Sequence, residues 1–400
     1  MRLTRRRGAW GLGLALAARG IALALPKAMS LEDFVRRSVG CRSVAFQNER
    51  TMGFSGATVS DVLCKGDGEE RLLFLKVVAP EPLADDASAA ERQKWERNLQ
   101  SYANELAFLS NPQIQEALAR RGVLLPKTLG HTSVPGKSFA LLTENLQPGF
   151  ASRGVPPAQR FPEVLRWLAN FHGAFQSQMP TEHGLWDFGT HVHLDRRPAG
   201  EIDKLPEGIA SFCKAFEGED DFFRRPAAAN LGSRLQQVAS TVSRHLTIRP
   251  ENLHRMTLVH GDFKGANYFL KCEGEGCTAI DWQWTGPGVG ATDLIYLLCG
   301  SVEDEIVENY QHWLKEYHKS LGLEDYPFKQ LELDFKAATL DYARWVFAYR
   351  LLGDSPEKFR QRAEKVDENL GIFRRHVPRA RWLLALVEEF LPEIEGGALD

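Results

Sequence analysis

Alternating apolar and polar positions in the first third of the chain predict a small antiparallel sheet. Three candidate strands are separated by glycine-bearing turns, and two more close the region; they lie at 43–47, 57–64, 71–78, 124–132 and 137–145. Between the third and fourth strands, apolar residues recur at spacings of three and four, which predicts one helix over about 86–109. The expected unit is a five-stranded sheet with one main helix.

The pattern beyond about residue 146 is mostly helical. Helices are expected at 162–175, 209–217, 230–246, 303–321 and 334–351, with a terminal helix from 376. One short strand pair, at 256–260 and 268–280, interrupts them. A short helix near 30–39 precedes the sheet. The fold class is therefore α+β, with an N-lobe over 31–145 and a larger, mainly helical C-lobe over 146–400.

The first thirty residues differ from the rest of the chain. They contain six basic residues and no acidic one, and their apolar stretch is interrupted by Arg19. This pattern fits a weak membrane anchor, a secretory signal or an organelle transit peptide. Alternatively, translation begins at Met29, because Ser30 and Asp33 resemble a helix capping box. Residues 1–30 are therefore left out of the fold.

Charge and cysteine content exclude several classes of protein. The 400 residues include 49 Lys and Arg against 52 Asp and Glu, a net charge of −3, so nucleic acid is not an expected partner. Six cysteines are too sparse for a disulfide scaffold, and the close pair Cys272 and Cys277 lacks the companions of a zinc site. We expect a cytoplasmic protein without a stable membrane span, or an organelle protein if the leader is a transit peptide.

A lysine in an apolar strand is the first candidate for chemistry. Lys76 lies in RLLFLKVV, where both strand faces are otherwise apolar. An unpaired ammonium is costly to bury, so Lys76 must lie at an edge or meet an anion. Glu105, on the predicted helix, is a carboxylate able to hold it. Each residue alone also fits an ordinary solvated position.

The stronger signal is the segment LVHGDFKGANYFL. A short apolar strand ends at His260, and Asp262 and Asn267 follow across a glycine-containing loop. The next hairpin places Asp281 at the end of another apolar strand. One carboxylate that orients a hydroxyl, together with hard oxygen ligands for Mg²⁺, is what phosphoryl transfer requires. Asp262 suits the first task, and Asn267 and Asp281 suit the second.

These motifs resemble those of the protein-kinase-like phosphotransferases, and specifically the aminoglycoside/choline kinase-type family with its ecdysteroid-kinase-like (CHK) branch. HGDFKGAN is similar to the family's catalytic loop, and IDWQW to its metal-binding strand. GPGVGATDL resembles the segment that follows, and ALLTENL resembles the strand and hinge that hold the adenine. The resemblance covers roughly residues 40–350.

The resemblance implies an ATP- and Mg²⁺-dependent small-molecule kinase. It implies that Lys76 pairs with Glu105 and contacts the α- and β-phosphates of ATP. Asp262 would be the catalytic base, and Asn267 and Asp281 would bind Mg²⁺. These five side chains are expected to share one nucleotide-filled crevice.

Supporting roles follow from the same resemblance. Asp293 would buttress the catalytic loop beside His260, and Lys264 would touch the γ-phosphate. The residues from Glu144 to Leu146 would hold the adenine. The phosphate loop departs from the family pattern, because TMGFSGATV offers only Gly53 and Gly56.

The acceptor is the least visible part of the site. Asp341, Trp345 and Tyr349 recur every four residues on one predicted helix face, and Trp282 and Trp284 follow the metal ligand. An acid with aromatic rings suits a cation such as choline, whereas simple core packing is the more common reason for such rings.

Two other functions stay open at this point. A catalytically inactive nucleotide-binding scaffold is one, although none of the five key residues is lost. A protein kinase is the other, but Gly261 replaces the arginine that follows the loop histidine in protein kinases. Asp281-Trp282-Gln283 stands in place of Asp-Phe-Gly, and no Ala-Pro-Glu segment follows. The oligomeric state is not encoded in any pattern that we recognise.

Overall fold

The computed structural model describes residues 29–52, 56–66, 68–80, 83–134, 136–147, 149–150, 155–178, 184–300, 302–364 and 376–399. The chain divides into two compact units: 1–110 with 126–148, and 111–125 with 149–400. The sequence suggested one boundary near residue 146. In the structure, residues 111–125 belong to the larger unit instead. One reason is that the Leu124 carbonyl accepts the Trp167 indole N–H at 3.1 Å.

The smaller unit contains a five-stranded antiparallel sheet. Its strands are β1 (Ser43–Thr51), β2 (Ala57–Lys65), β3 (Glu70–Val78), β4 (Thr128–Val134) and β5 (Ser138–Glu144), in the order β1-β2-β3-β5-β4. Its helices are α1 (Leu31–Val39) and α2 (Ala89–Ser110). The predicted strands, the antiparallel pairing and the main helix are confirmed, although α2 begins three residues later than the apolar spacing indicated.

A helix packs against each face of this sheet. Phe34 and Val35 of α1 lie in one buried cluster with alternate residues of β3 such as Leu73, Leu75 and Val77. On the other face, Tyr102 of α2 packs against Phe139, with ring centroids 5.7 Å apart. Because successive side chains of a strand point to opposite faces, β3 contributes apolar residues to the buried cluster on each side of the sheet.

The short helix α1 begins as the sequence predicted. The Ser30 hydroxyl accepts the Asp33 backbone amide at 3.0 Å, and the Asp33 carboxylate accepts the Ser30 backbone amide at 3.4 Å. Both halves of a capping box are therefore present. Gly40 ends the helix with φ 69°, a conformation that glycine adopts without strain.

The larger unit is mainly helical. Its α-helices are α3 (Pro112–Arg120), α4 (Phe161–Gly173), α5 (Leu205–Ala215), α6 (Pro226–Leu246), α7 (Ala291–Gly300), α8 (Asp304–Glu308), α9 (Tyr310–Leu321), α10 (Phe328–Trp345), α11 (Pro356–Glu364) and α12 (His376–Glu395). A π-helical turn, Val346–Arg350, continues α10. Short 3₁₀ segments lie at Ala158–Arg160, Leu194–Arg196, Ile202–Lys204, Asp221–Arg224 and Pro250–Arg255. The predicted helices are present, but α3, α7 and α11 were not anticipated.

Two short strand pairs carry the loops of interest. The strands are β6 (Thr257–Val259), β7 (Tyr268–Leu270), β8 (Cys277–Ala279) and β9 (Gly286–Gly288). The predicted hairpin over 268–280 is confirmed, because β7 pairs with β8. The predicted partner of 256–260 is wrong, because β6 pairs with β9. All four are buried. β9 reads Gly-Pro-Gly, which has no side-chain signal for a strand.

Two further observations apply to the described ranges. All six cysteines fall within them and are free thiols. No helix there has the length and apolar character needed to cross a bilayer.

Candidate active site

Lys76 and Glu105 form a buried ion pair in the smaller unit. The Lys76 ammonium lies 2.7 Å from the Glu105 carboxylate, and their side chains are 15% and 7% exposed. β3 supplies the lysine and α2 supplies the acid. Lys76 is therefore paired with an anion, as its apolar strand required. The alternative, that Lys76 and Glu105 are ordinary solvent-exposed residues, is excluded.

Asp293 holds the loop that follows β6 in the larger unit. Its two carboxylate oxygens accept the backbone amides of His260, at 2.6 Å, and Gly261, at 2.9 Å. Asp293 lies in the first turn of α7 and is fully buried. Gly261 has φ 81°, and a Cβ there would lie 2.3 Å from the Trp284 carbonyl oxygen. The loop therefore requires both the glycine and the carboxylate.

A second layer of buried hydrogen bonds fixes Asp293. The His172 Nε2 lies 3.1 Å from the Asp293 carboxylate, and its Nδ1 lies 2.7 Å from the Tyr317 hydroxyl. With Nε2 protonated, His172 donates to Asp293 and accepts from Tyr317. The chain of bonds joins α4, α7 and α9 beneath the loop that follows β6. Neither His172 nor Tyr317 was predicted, because they come from distant helices.

Asp262 is the centre of the loop. The Lys264 ammonium lies 2.8 Å from its carboxylate, and the Asn267 side-chain amide donates to the same carboxylate at 3.1 Å. Burial acts to raise the pKa of Asp262, but the Lys264 charge opposes it, and the His191 and Tyr296 side chains add to the effect of Lys264. The pKa of Asp262 is therefore lowered, and the group is a carboxylate at neutral pH.

Asp281 follows β8 beside this loop. The Ile280 amide donates to the Asn267 carbonyl at 2.8 Å, and the Ile280 carbonyl lies 3.0 Å from His260 Nε2. Asp281 itself has φ 70°, which is unusual for a residue with a side chain. Backbone strain of this kind clusters at functional sites. The structure thus ties the predicted metal ligands Asn267 and Asp281 into one set of loops, with His260 as a structural link.

Four further residues, Gly53, Gly56, Glu144 and Leu146, were predicted to contact the nucleotide. Gly56 has φ 65° and open space around it, whereas Gly53 lies outside the described residues. The Glu144 carboxylate accepts the Lys127 amide at 3.0 Å, and Leu146 is half-buried just after β5. Their roles toward ATP stay predictions, as does the expectation that Lys76 and Asp262 share one crevice.

The predicted acceptor residues fall into two groups. Trp282 is buried against Trp167 and Phe171, with ring centroids 6.2 and 5.3 Å away, as core packing requires. Trp284 and Trp345 instead surround His191, at 5.4 and 5.2 Å between centroids.

The remaining two acceptor candidates are engaged elsewhere. Asp341 is buried and paired with Arg344 at 2.7 Å, and Tyr349 is 54% exposed beneath the Arg197 guanidinium. Asp341 therefore offers no unpaired carboxylate that could bind a cationic acceptor.

Two residues near Asp262 escaped the sequence analysis. The Tyr296 side chain helps to lower the pKa of Asp262, and its spacing of three from Asp293 on one helix was the available signal. His191 lies in an irregular segment far from the motif, and no local pattern distinguishes it. Burial lowers the pKa of His191 to about 3, so its ring is neutral.

Comparison with known sequences identifies the family. The sequence model of the ecdysteroid kinase-like family matches residues 66–324. The chain belongs to this family of kinase-type phosphotransferases, which confirms the resemblance seen in its motifs. No curated protein sequence matches the chain with significance.

Solved structures with a similar arrangement are small-molecule kinases by their names. A microcompartment-associated aminopropanol kinase is 13% identical, with a TM-score of 0.47 over 97% of this chain and 99% of that one. A choline kinase from Streptococcus pneumoniae is 11% identical, with a TM-score of 0.44 over 89% and 98%. An amicoumacin kinase in complex with AMP-PNP is 14% identical, with a TM-score of 0.41 over 92% and 95%.

Proposed function

We propose that this protein transfers the γ-phosphoryl group of ATP to a hydroxyl group of a small molecule. The observation that carries the proposal is the cluster of Asp262, Lys264 and Asn267, held by the two hydrogen bonds from backbone amides to Asp293. The loop is held rigidly because Asp293 binds the backbone amides of both His260 and Gly261. A buried carboxylate with an ammonium and an amide beside it, on such a loop, suits phosphoryl transfer, which depends on the exact placement of the reacting groups.

Asp262 orients the acceptor hydroxyl in this mechanism. An aliphatic hydroxyl is too weak an acid to ionise beforehand, so the Asp262 carboxylate takes its proton late. The hydroxyl oxygen forms a new bond to the γ-phosphorus, and the bond from that phosphorus to the oxygen bridging the β-phosphate breaks. ADP and the phosphorylated alcohol are the products. Lys264, now paired with Asp262, is positioned to exchange that partner for the γ-phosphate.

The donor set beside Asp262 suits Mg²⁺. The side-chain nitrogen of Asn267 donates to Asp262, so the side-chain oxygen of Asn267 is the atom that would bind a cation. Asp281 would supply a carboxylate. No cluster of three or more His, Cys, Asp or Glu residues suited to a metal occurs in the described residues. Mg²⁺ commonly takes one or two carboxylates plus substrate phosphates rather than an all-protein cage. When bound, it would offset the charge of the transferring phosphoryl group.

The smaller unit supplies the remaining nucleotide contacts. We assign Lys76, oriented by Glu105, to the α- and β-phosphates, and the residues from Glu144 to Leu146 to the adenine. The glycines at 53 and 56 are assigned to the phosphate loop. These roles are carried over from the family's motifs, and the buried 2.7 Å ion pair supports the role of Lys76.

An acceptor screen tests the proposal. The full chain is incubated with ATP and Mg²⁺ and a panel of hydroxylated compounds, beginning with an ecdysteroid because of the family's name. ADP release and product mass are measured together. We expect at least one acceptor to gain a phosphoryl group and Asp262→Asn to abolish that gain.

One control variant and two alternative outcomes make the screen decisive. Asp325→Asn changes an exposed aspartate of the same unit and should leave the rate unchanged. ADP release by Asp262→Asn at the wild-type rate in the presence of acceptor would contradict the proposal. Nucleotide binding without transfer to any compound would favour the inactive scaffold instead.

A further inference from the structure

The hairpin formed by β7 and β8 lies between the two proposed metal ligands. Asn267 immediately precedes β7, and Asp281 lies two residues beyond the end of β8. At this end of the hairpin the Ile280 amide donates to the Asn267 carbonyl at 2.8 Å. The spacing between the two ligands therefore depends on how the two strands pair.

The hairpin itself specifies this pairing only weakly. Each strand has three residues, and a two-stranded sheet of that size is marginally stable on its own. All six strand residues are buried, so burial does not favour one face of the hairpin over the other, as it does in a sheet with one solvent face. The turn contains Gly274 and Gly276, with φ 70° and 154°, which leave its backbone conformation permissive. The register therefore gains from support outside the hairpin.

Arg160 and Glu163 hold the turn end of the hairpin. The Arg160 guanidinium donates to the Lys271 carbonyl at 2.8 Å and to the Gly274 carbonyl at 3.3 Å. The Glu163 carboxylate accepts the Gly276 amide at 2.9 Å. Across the hairpin, the Lys271 amide donates to the Gly276 carbonyl at 2.9 Å. The two side chains thus bind both arms of the hairpin at one register position, and we call them the hairpin clamp.

The hairpin clamp is itself fixed to α4. The Arg160 guanidinium donates to both oxygens of Glu163, at 2.8 Å each, and the side chains are 27% and 10% exposed. These hydrogen bonds lower the pKa of Glu163, so it is a carboxylate at neutral pH. Arg160 immediately precedes α4, and Glu163 lies in its first turn. The last turn of α4 carries His172, which contacts Asp293. One helix therefore links the hairpin to the loop that carries Asp262.

A second ion pair joins the same helix to the same hairpin but is exposed. Arg166 lies 2.9 Å from Glu275, and their side chains are 55% and 72% exposed. This contact joins side chain to side chain, so it restrains the hairpin backbone less than the hairpin clamp does. Exposed pairs also contribute little, because water and salt screen both charges. The pair of Arg166 and Glu275 is therefore the natural control for the hairpin clamp.

We propose that Arg160 and Glu163 are positioning residues for the metal site. By holding the register of the hairpin at its turn, they set the spacing of Asn267 and Asp281 and thereby the affinity for Mg²⁺. They act through the hairpin and not as ligands. This inference rests on the proposed function, and it adds the residues that keep the two ligands in place.

Binding of Mn²⁺, used as a probe for Mg²⁺, tests the hairpin clamp. Relaxation of water protons reports the Mn²⁺ held by the full chain, with and without AMP-PNP. Glu163→Gln keeps the shape of the side chain but removes the charge that holds Arg160. Arg160→Lys keeps the charge but loses the planar fork that reaches two carbonyls as well as Glu163. We expect each variant to raise the Kd for Mn²⁺ in the AMP-PNP complex by about tenfold.

The control variant is Glu275→Gln, which alters the exposed pair at the same hairpin. Its Kd for Mn²⁺ should stay within about twofold of wild type, and a rise equal to that of Glu163→Gln would overturn the inference. The affinity for AMP-PNP in EDTA and the thermal unfolding midpoint show that each variant is folded. A lower midpoint with an unchanged Kd for Mn²⁺ in Glu163→Gln and Arg160→Lys would also overturn it, because the hairpin clamp would then support the fold alone.

The wild-type protein separates this inference from the proposed function. If it binds no Mn²⁺ in the presence of AMP-PNP, the proposed metal site fails, and the role of the hairpin clamp fails with it. If it binds Mn²⁺ and both clamp variants bind Mn²⁺ equally well, only the role of the hairpin clamp fails. If the Kd rises as expected while the acceptor screen finds no phosphoryl transfer, the positioning role is supported and the transfer reaction is not.

Discussion

The ion pair between Lys76 and Glu105 has a consequence that can be measured. At 2.7 Å and largely buried, each charge depends on the other, since removing one partner leaves a costly unpaired charge. If the pair also positions the lysine for ATP, the two residues should act as one unit. We therefore predict that their effects on ATP binding are not additive.

A double-mutant cycle measures that coupling. Lys76→Ala and Glu105→Ala, alone and together, are compared by their Kd for ATP. We expect a coupling energy of about 1–3 kcal/mol. Lys65→Ala and Glu70→Ala, which remove an exposed pair 2.8 Å apart in the same sheet, serve as the control cycle and should give less than about 1 kcal/mol. Independent effects of Lys76 and Glu105 would exclude a shared role.

Residues close together in sequence were predictable, and those brought together by the fold were not. Asp262, Lys264 and Asn267 lie on one loop, so their spacing alone indicated a common site, and they are in contact. His191 lies in the irregular stretch before residue 194 and Tyr296 lies on α7, yet both lower the pKa of Asp262. Asp341 was predicted as an acceptor residue from helical spacing, but its partner Arg344 lies on the same helix turn, and spacing does not reveal which neighbour neutralises an acid.

At the scale of elements, the link between β6 and α7 fixes the backbone of the loop that carries Asp262. Asp293 accepts two backbone amides and contacts His172, with its carboxylate fully buried. Asp293→Asn keeps the size but replaces one acceptor oxygen by a donor, which opposes a backbone N–H. A displacement of about 1 Å at the reacting groups can cost about 10²-fold in rate.

We predict that Asp293→Asn lowers kcat by about 10- to 100-fold while the Kd for ATP changes little. Steady-state kinetics and nucleotide binding, measured below the unfolding temperature of the variant, check this. A fall in stability with an unchanged kcat for the folded fraction would show that Asp293 supports the fold alone.

A second prediction at this scale concerns the contact of α5 with the π-helical turn. A Cβ at Gly208 would lie 2.2 Å from the Phe347 carbonyl oxygen, a backbone atom. Overpacking costs about 1–3 kcal/mol, while alanine improves helix propensity by about 1 kcal/mol. Because the clashing atom is backbone, the upper overpacking figure applies, and Gly208→Ala should lower the free energy of unfolding by about 2 kcal/mol after the propensity gain.

Gly218→Ala is the matched control for Gly208→Ala. Nothing lies within 4 Å of a Cβ at Gly218, and its backbone is not in the left-handed region. Its free energy of unfolding should stay within about 0.5 kcal/mol of wild type. Urea denaturation of the three proteins provides the comparison, and equal midpoints for both variants would contradict the packing argument.

The elements themselves differed in how far sequence revealed them. The strands β2 and β3 have clear apolar positions and were predicted to within one or two residues. β9 was missed because Gly286, Pro287 and Gly288 carry no strand propensity; it pairs with β6 through position in the fold. The helix α7 is buried along nearly its whole length, so it lacks the polar face that makes a helix visible in sequence.

At the scale of the whole molecule, the proposed reaction needs a metal ion that two protein ligands hold together with ATP. Asn267 and Asp281 are the proposed ligands, and the rest of the coordination would come from phosphate oxygens and water. A site of this kind binds Mg²⁺ weakly without nucleotide. Metal dependence should therefore appear in the ternary complex and be sensitive to either ligand.

We predict that EDTA abolishes phosphoryl transfer and that added Mg²⁺ restores it. Asn267→Ala and Asp281→Ala should each raise the Mg²⁺ concentration for half-maximal rate by about 10-fold or more. Asp325→Asn, which alters the exposed aspartate used in the acceptor screen, should not change it. The rate is measured as a function of free Mg²⁺ at saturating ATP. Transfer that persists in EDTA, or Mg²⁺ curves unchanged in both ligand variants, would rule out Asn267 and Asp281 as the metal site and leave Asp262 without the assistance that this mechanism requires.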